Sequence, residues 1–183
     1  MDARILNIID EAGIAIGQAT REEIHQEGLL HAEIHVWFYT PAGELIFQHR
    51  AKDKDTYPDL LDATVGGHVE IGDTYDQTAL KEAEEETGVK IDNKDLVFLC
   101  TTITNSFDEV TGRTNHPRRN VYAYCYTGDV ADLKIEGGAG IGFELWSIDT
   151  LLNLPASDAP RFIPGILNIE VIKKIKALIV NNV

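Results

Sequence analysis

The sequence predicts an α+β domain, a mixed β-sheet flanked by helices in an α/β/α sandwich, and three observations carry that expectation. From His31 to Tyr39 apolar and polar residues alternate, the period of a strand. From about Thr74 to Thr87 the period is helical, and Gly88 closes the segment. Further strand-like stretches fall near 96–104, 119–127 and 141–147, so strands and helices interleave along the chain. At 183 residues, with no internal repeat and no linker composition, the chain reads as one domain over 1–183.

Taken in order, residues 3–18 alternate loosely around Asp10-Glu11-Ala12-Gly13 and predict a small hairpin. Thr20-Arg21-Glu22-Glu23 has the capping-box pattern, and Gly28 can stop the short helix that follows. Residues 1–30 thus form an N-terminal extension of hairpin and helix. In the strand at 31–39, Ala32, Ile34, Val36 and Phe38 face one way, and His31, Glu33, His35, Trp37 and Tyr39 the other. Pro41-Ala42-Gly43 turns it into a second strand through Leu45, Ile46 and Phe47, and residues 51–59 read as a polar loop. A short apolar stretch then reaches Val65-Gly66-Gly67, and a last amphipathic helix is expected over about Phe162–Ile179.

An apolar fraction of 44% and a charged fraction of 25% permit a packed core. The formal charge of −14 argues against a general grip on nucleic-acid backbone or an anionic membrane surface. Cys100 and Cys125 are too few for a disulfide framework and in no zinc-ligand spacing, and are expected as thiols buried in strands. The opening residues lack the order of a secretory signal, and no apolar run approaches the roughly 20 residues of a membrane span, so the expectation is a cytoplasmic protein.

The chemistry concentrates in Gly67-His68-Val69-Glu70-Ile71-Gly72-Asp73 and, seven residues on, Lys81-Glu82-Ala83-Glu84-Glu85-Glu86-Thr87-Gly88-Val89. On a helix Glu82, Glu85 and Glu86 stand at i, i+3 and i+4 and share one face, while Tyr75, Ala79 and Ala83 make a separate apolar face for the sheet. Three crowded carboxylates repel unless solvent or a cation relieves them. Glycine lets backbone approach a ligand, and its carbonyl can join carboxylates around a hard cation. The pattern suits Mg²⁺, which takes oxygen ligands and keeps waters for bridging to phosphates.

The segment resembles the Nudix box, G-x5-E-x7-R-E-U-x-E-E-x-G-U with U aliphatic, placed at 67–89. Gly67, Glu82, Glu85, Glu86, Gly88 and Val89 match, and Ala83 is a small apolar residue at the first U. Asp73 stands where the family has Glu, and Lys81 where it has Arg; Asp73 is expected to cap the helix. Across roughly residues 4–150 the chain also looks like the subgroup related to isopentenyl-diphosphate isomerase. Those isomerases have a catalytic Cys where this chain has Gly66, and metal-binding glutamates where it has Arg118-Arg119-Asn120, so isomerisation is not expected.

The resemblance implies Mg²⁺- or Mn²⁺-dependent hydrolysis of a diphosphate linkage in a nucleotide-like or other small substrate. It implies Glu82, Glu85 and Glu86 as metal-site carboxylates with the Gly66 or Gly67 carbonyl, and Glu85 and Glu86 in catalysis. Glu144, before Trp146, and Glu136 are candidates for a further base. His68 matches an isomerase ligand and here is expected to line the substrate site; His25, His31 and His35 are expected as partly buried or surface residues. Arg113, His116, Arg118 and Arg119 form a basic cluster in an acidic chain, and Arg118 and Arg119 are the expected phosphate contacts. A catalytically silent binding module and an isomerase are the competing readings. Trp37, Tyr57 and Phe107 could stack on a base or simply pack, and a homodimer is left open.

Overall fold

The computed structural model describes residues 4–54, 56–137 and 140–181. An N-terminal hairpin pairs β1 (Ile5–Ile9) with β2 (Ala15–Thr20); Ala3, where the sequence expectation began it, lies outside the described residues. Helix α1 (Arg21–Glu27) starts on the capping box of Thr20 and Glu23 and ends at Gly28, whose φ of +66° is left-handed.

Strand β3 (His31–Tyr39) is the axis of the sheet. It is followed by β4 (Glu44–Arg50), β5 (Leu61–Asp62) and β6 (Val65–His68), then by helix α2 (Tyr75–Thr87). Next come β7 (Val97–Ile103), a separate hairpin of β8 (Ser106–Asp108) and β9 (Arg113–Asn115), and β10 (Pro117–Cys125). Strand β11 (Gly140–Ser147), the short helix α3 (Ile148–Leu152) and helix α4 (Ile169–Asn181) complete the described chain. One edge of β3 pairs in parallel with β10 along its whole length. The other edge is shared by β1 at His31, β6 at Glu33–Val36 and β4 at Phe38–Tyr39.

Alternation along β3 sorts the core into two layers. Ile34, Val36 and Phe38 pack with Ala79 and Ala83 of α2, the apolar helix face expected from the sequence. Trp37 and Tyr39 pack on the opposite side with Ile148 and Leu151 of α3 and Val171, Ile172 and Ile175 of α4. The result is an α+β mixed sheet with helices on both faces. His31, Glu33 and His35 share the Trp37 side, but lie toward the end of β3 that opens into a cavity.

Four expectations need correction. Helix α2 is capped by Thr74, whose side chain accepts from Gln77 while Gln77 returns the bond; Asp73 is exposed outside the helix. The last helix begins at Ile169 and not near Phe162, because Pro164 lacks an N–H and Gly165 takes φ +80°. Cys100 and Cys125 lie in strands but are half-buried. His25, His31 and His35 are buried, at 2%, 0% and 8% exposure: His31 and His35 because both edges of β3 are paired and both faces covered, and His25 because α1 sets it against His31, His68 and the Thr114 carbonyl.

Candidate active site

A cavity of about 500 Å³ opens beside the β3–β6 pairing and the acidic face of α2. The register Ile34↔Gly67 and His35↔Gly66 sets the two glycines against α2. Gly67 is needed small: a Cβ there would stand 2.6 Å from the Glu82 side chain, whereas one on Gly66 would meet the His35 ring at 3.4 Å, about van der Waals contact. The Gly66 N–H donates to Glu86 Oε2 at 3.2 Å, which orients that carboxylate toward the strand.

Glu82 and Glu86 line the cavity together with Glu136. Burial, then the neighbouring Glu85, lifts the Glu82 carboxyl to about 7. Burial and the Glu82 charge lift Glu86 to about 8, against the opposing Gly66 N–H. Glu85 points to solvent and does not line the cavity. Lys81 donates to Glu70 Oε2 at 3.2 Å, tying the helix to the loop that precedes it.

A second group of ionisable residues lines or abuts the same cavity. The metal-ligating atoms of His25, His31 and His68 lie within 4.8 Å of one another. His25 Nε2 is 3.2 Å from His68 Nε2, and Glu33 Oε1 is 3.2 Å from His31 Nε2 and 3.5 Å from His68 Nε2. His25 Nδ1 sits 3.4 Å from the Thr114 carbonyl, a contact that favours a proton on Nδ1 and a lone pair on Nε2, while His31 lies between two acceptors, the Leu29 carbonyl 2.9 Å from Nδ1 and Glu33 Oε1 beside Nε2. Three imidazole nitrogens and a carboxylate could therefore hold a transition metal. Burial, then His31 and Arg21, drops His25 to about 4; burial also takes His68 well below the ordinary range. Burial would raise Glu33, but Arg119 and the His31 bond outweigh it and hold it ionised. Arg119 Nη2 reaches Glu33 Oε2 at 2.6 Å.

The remaining expected residues separate. Arg119 lines the cavity, whereas Arg118 is turned away, with Nε donating to the Glu11 carbonyl at 3.3 Å and its guanidinium over the Tyr75 ring. Glu144 is outside the cavity, on β11, where Arg161 Nη2 donates to both its oxygens at 2.7 and 2.8 Å. Arg4, Arg21 and Arg50 line the cavity, and sequence reasoning passed over them because they are isolated cations in different elements. Trp37 is buried in the core and Phe107 is exposed away from the cavity; Tyr57 lines it. Among the described residues no helix is long and apolar enough to cross a membrane.

Comparisons with known proteins bear on the fold and the family. A crystal structure of a Deinococcus radiodurans protein superposes with a TM-score of 0.71 at 22% identity, covering 93% of this chain and 98% of that one. The NUDIX domain of Shewanella oneidensis NrtR, complexed with ADP ribose, gives 0.58 at 15% identity over 87% of this chain and 99% of that one. At these identities the likeness is one of fold. An uncharacterized Nudix hydrolase of Clostridium acetobutylicum is 33% identical over 82% of this chain and 73% of its own length. One from Streptomyces coelicolor is 42% identical over 46% of each chain, so that match spans about half of that relative. The NUDIX domain family model matches residues 29–162, from the end of α1 to the start of the α4 approach, and the chain belongs to the Nudix family.

Proposed function

We propose that the protein hydrolyses a diphosphate linkage in a small substrate with the help of a divalent cation held by Glu82 and Glu86. The observation that carries this reading is the pair of carboxylates on one helix face, facing the cavity and packed against two glycines. Without a cation, burial and the charges of neighbouring carboxylates, Glu85 on Glu82 and Glu82 on Glu86, push both toward the neutral form. A hard divalent ion suits an oxygen donor set of this kind, and the Gly67 position, where a Cβ would collide with Glu82, keeps the room open. Mg²⁺ or Mn²⁺ fits, with Glu85 more distant than the sequence suggested.

Bound there, the ion would neutralise phosphate charge and lower the pKa of water. The chain's own residues do the rest. Gly66 N–H fixes the Glu86 carboxylate, and Glu86 or the nearby Glu136 accepts a proton from water. Arg4 and Arg21 add positive charge to the cavity wall, which an anionic substrate needs on a chain of −14. Arg119 acts chiefly by holding Glu33. Isomerisation is disfavoured because Gly66 offers no thiol. The whole chain, 1–183, is read as one Nudix domain with residues 1–30 as its extension. The test is a screen of diphosphate compounds with Mg²⁺, Mn²⁺ or chelator, with the products identified. Release of a monophosphate in the presence of metal alone supports the reading; binding without turnover across the panel overturns it in favour of a silent module.

A further inference from the structure

One stretch of backbone at the cavity is held in a conformation its side chains disfavour. Tyr57, at φ +46°, lies in the left-handed region, which bulky residues rarely adopt, and Asp59 follows it there at +60°. Thr56 and Tyr57 belong to no helix or strand, so no ladder of backbone bonds keeps them in place. The bond that does comes from 51 positions along the chain. Asp108, at the end of β8 and 5% exposed, takes the Tyr57 N–H on Oδ2 at 2.8 Å, and the Tyr57 hydroxyl donates to Ser106 Oγ at 2.8 Å. The same carboxylate organises its own hairpin turn, where Oδ1 accepts from the Val110 N–H at 3.0 Å and Oδ2 from the Thr111 hydroxyl at 2.7 Å. Burial works against its charge, yet the Tyr57 N–H, the Thr111 hydroxyl and the Val110 N–H outweigh it and hold the carboxyl below its ordinary range. Three donors thus meet two oxygens, and an amide in place of the carboxylate would set an N–H against at least one of them.

What this backbone holds is Arg50. The Tyr57 carbonyl accepts from Arg50 Nε at 3.2 Å and the Thr56 carbonyl from Nη2 at 2.8 Å, while Nη1 donates to Asp62 Oδ2 at 2.9 Å. Arg50 and Asp62 both line the cavity, each with a side chain only 15% exposed. Asp62 Oδ1 lies 3.9 Å from His35 Nε2, and His35 pairs with Gly66, whose N–H orients Glu86. An unmasked carboxylate at this place would repel an anion entering the cavity. Arg50 is the mask, and the carbonyls of Thr56 and Tyr57 set where its planar guanidinium lies. Were Tyr57 to relax to an ordinary negative φ, its carbonyl would turn and the guanidinium would lose that fixed place.

We propose that Asp108 is a positioning residue: through the Tyr57 backbone it fixes Arg50 on Asp62, and so keeps this carboxylate masked in the cavity that takes the anionic substrate. The last part rests on the reading of the site as a diphosphate hydrolase; the first does not, and the test keeps them apart. In the metal-free full chain, amide exchange would be followed residue by residue by NMR. The Tyr57 amide is expected to be protected, and Asp108→Asn to speed its exchange about tenfold or more while the Ile34 and Val36 amides of β3 hold. Thr111→Val, which touches only the hairpin turn, should leave Tyr57 protected. Anion binding would then be measured by calorimetry with Mg²⁺ and methylenediphosphonate, a diphosphate analogue that resists hydrolysis. Asp108→Asn should weaken binding about fivefold or more, but by less than about twofold when Asp62→Asn is already present, because no charge is left to mask. Should Asp108→Asn fail to fold, Asp108→Ser, whose hydroxyl still accepts a bond, and the wild-type exchange of Tyr57 decide. An unprotected Tyr57 amide in the wild type, equal effects of Thr111→Val and Asp108→Asn, or the same loss of affinity with and without the Asp62 charge overturns the proposal. The expected exchange with no binding of the analogue, and no turnover of any diphosphate compound, overturns the hydrolase reading and leaves the hold on Arg50 standing.

Discussion

The cavity holds two clusters of ionisable side chains, and they handle burial in opposite ways. In the histidine cluster, Glu33 keeps its charge because Arg119 and His31 sit against it, and His25 and His68 give up theirs. In the α2 cluster, the Gly66 N–H, Lys81 and Arg4 favour the charged forms of Glu82 and Glu86, but burial outweighs them and both are driven toward neutrality. Equal depth does not make equal electrostatics. The first cluster has its counter-charge built into the protein, and the second, on the reading proposed above, would take it from a cation in solution.

The largest effect that could break this contrast is on activity. Glu86→Gln should lower kcat for metal-dependent hydrolysis by about 100-fold or more while the fold survives. Its metal-free melting temperature should stay level or rise, since the change removes a charge that burial disfavours. Near-normal turnover in Mg²⁺ would take the metal away from Glu86.

Arg119→Ala tests the other cluster. Removing one partner of a buried pair should cost about 3–5 kcal/mol, seen as a large drop in the denaturant midpoint. A rise in KM alone at unchanged stability would mean that Arg119 serves substrate and not Glu33.

Stability against pH should separate the clusters in one titration of metal-free protein. Glu82 and Glu86 are raised in the folded state, so the stability they give is full below about 4.5 and is lost as pH climbs to about 8. His25 is lowered to about 4, so its contribution is present above about 6.5 and is lost as pH falls toward 4. Between about 6.5 and 8 the glutamates act alone, and the melting temperature should fall with rising pH. Mg²⁺, or Glu86→Gln, should flatten that slope; an unchanged slope in both would contradict the assignment.

The smallest effects sharpen the frame around the clusters. Thr74→Ala should cost about 0.5–2 kcal/mol through the lost N-cap, and Asp73→Ala should stay within about 0.5 kcal/mol. Arg118→Ala should cost about 1 kcal/mol or less and leave kcat/KM unchanged at low salt, because its guanidinium lies on Tyr75 outside the cavity.

The helix of the site and its carboxylate spacing were legible because an α-helix converts sequence separation into a face. Even there, spacing put Glu85 with its neighbours, while the rotation of α2 against β6 turns it to solvent. The alternation of β3 and a sheet flanked by helices were read correctly, but which elements close over the His31–His35 end depends on partners far along the chain. That is why His31 and His35 were expected as partly buried or surface residues. Adjacent arginines at 118 and 119 looked like one cluster, yet strand geometry sends neighbours to opposite faces, and only Arg119 reaches the cavity.

The parallel pairing of β3 with β10 also bears on how the protein acquires its site. Glu33 and Arg119 are 86 positions apart, so the ion pair at the cavity forms only after a long loop has closed. Closing such a loop is entropically costly before its contacts reward it, and non-local strand pairing folds on the slower, millisecond-to-second side. Refolding should therefore restore cation-dependent turnover together with the global signal and not ahead of it. A truncated chain ending before Pro117 should retain the acidic helix sequence and yet have no working cavity.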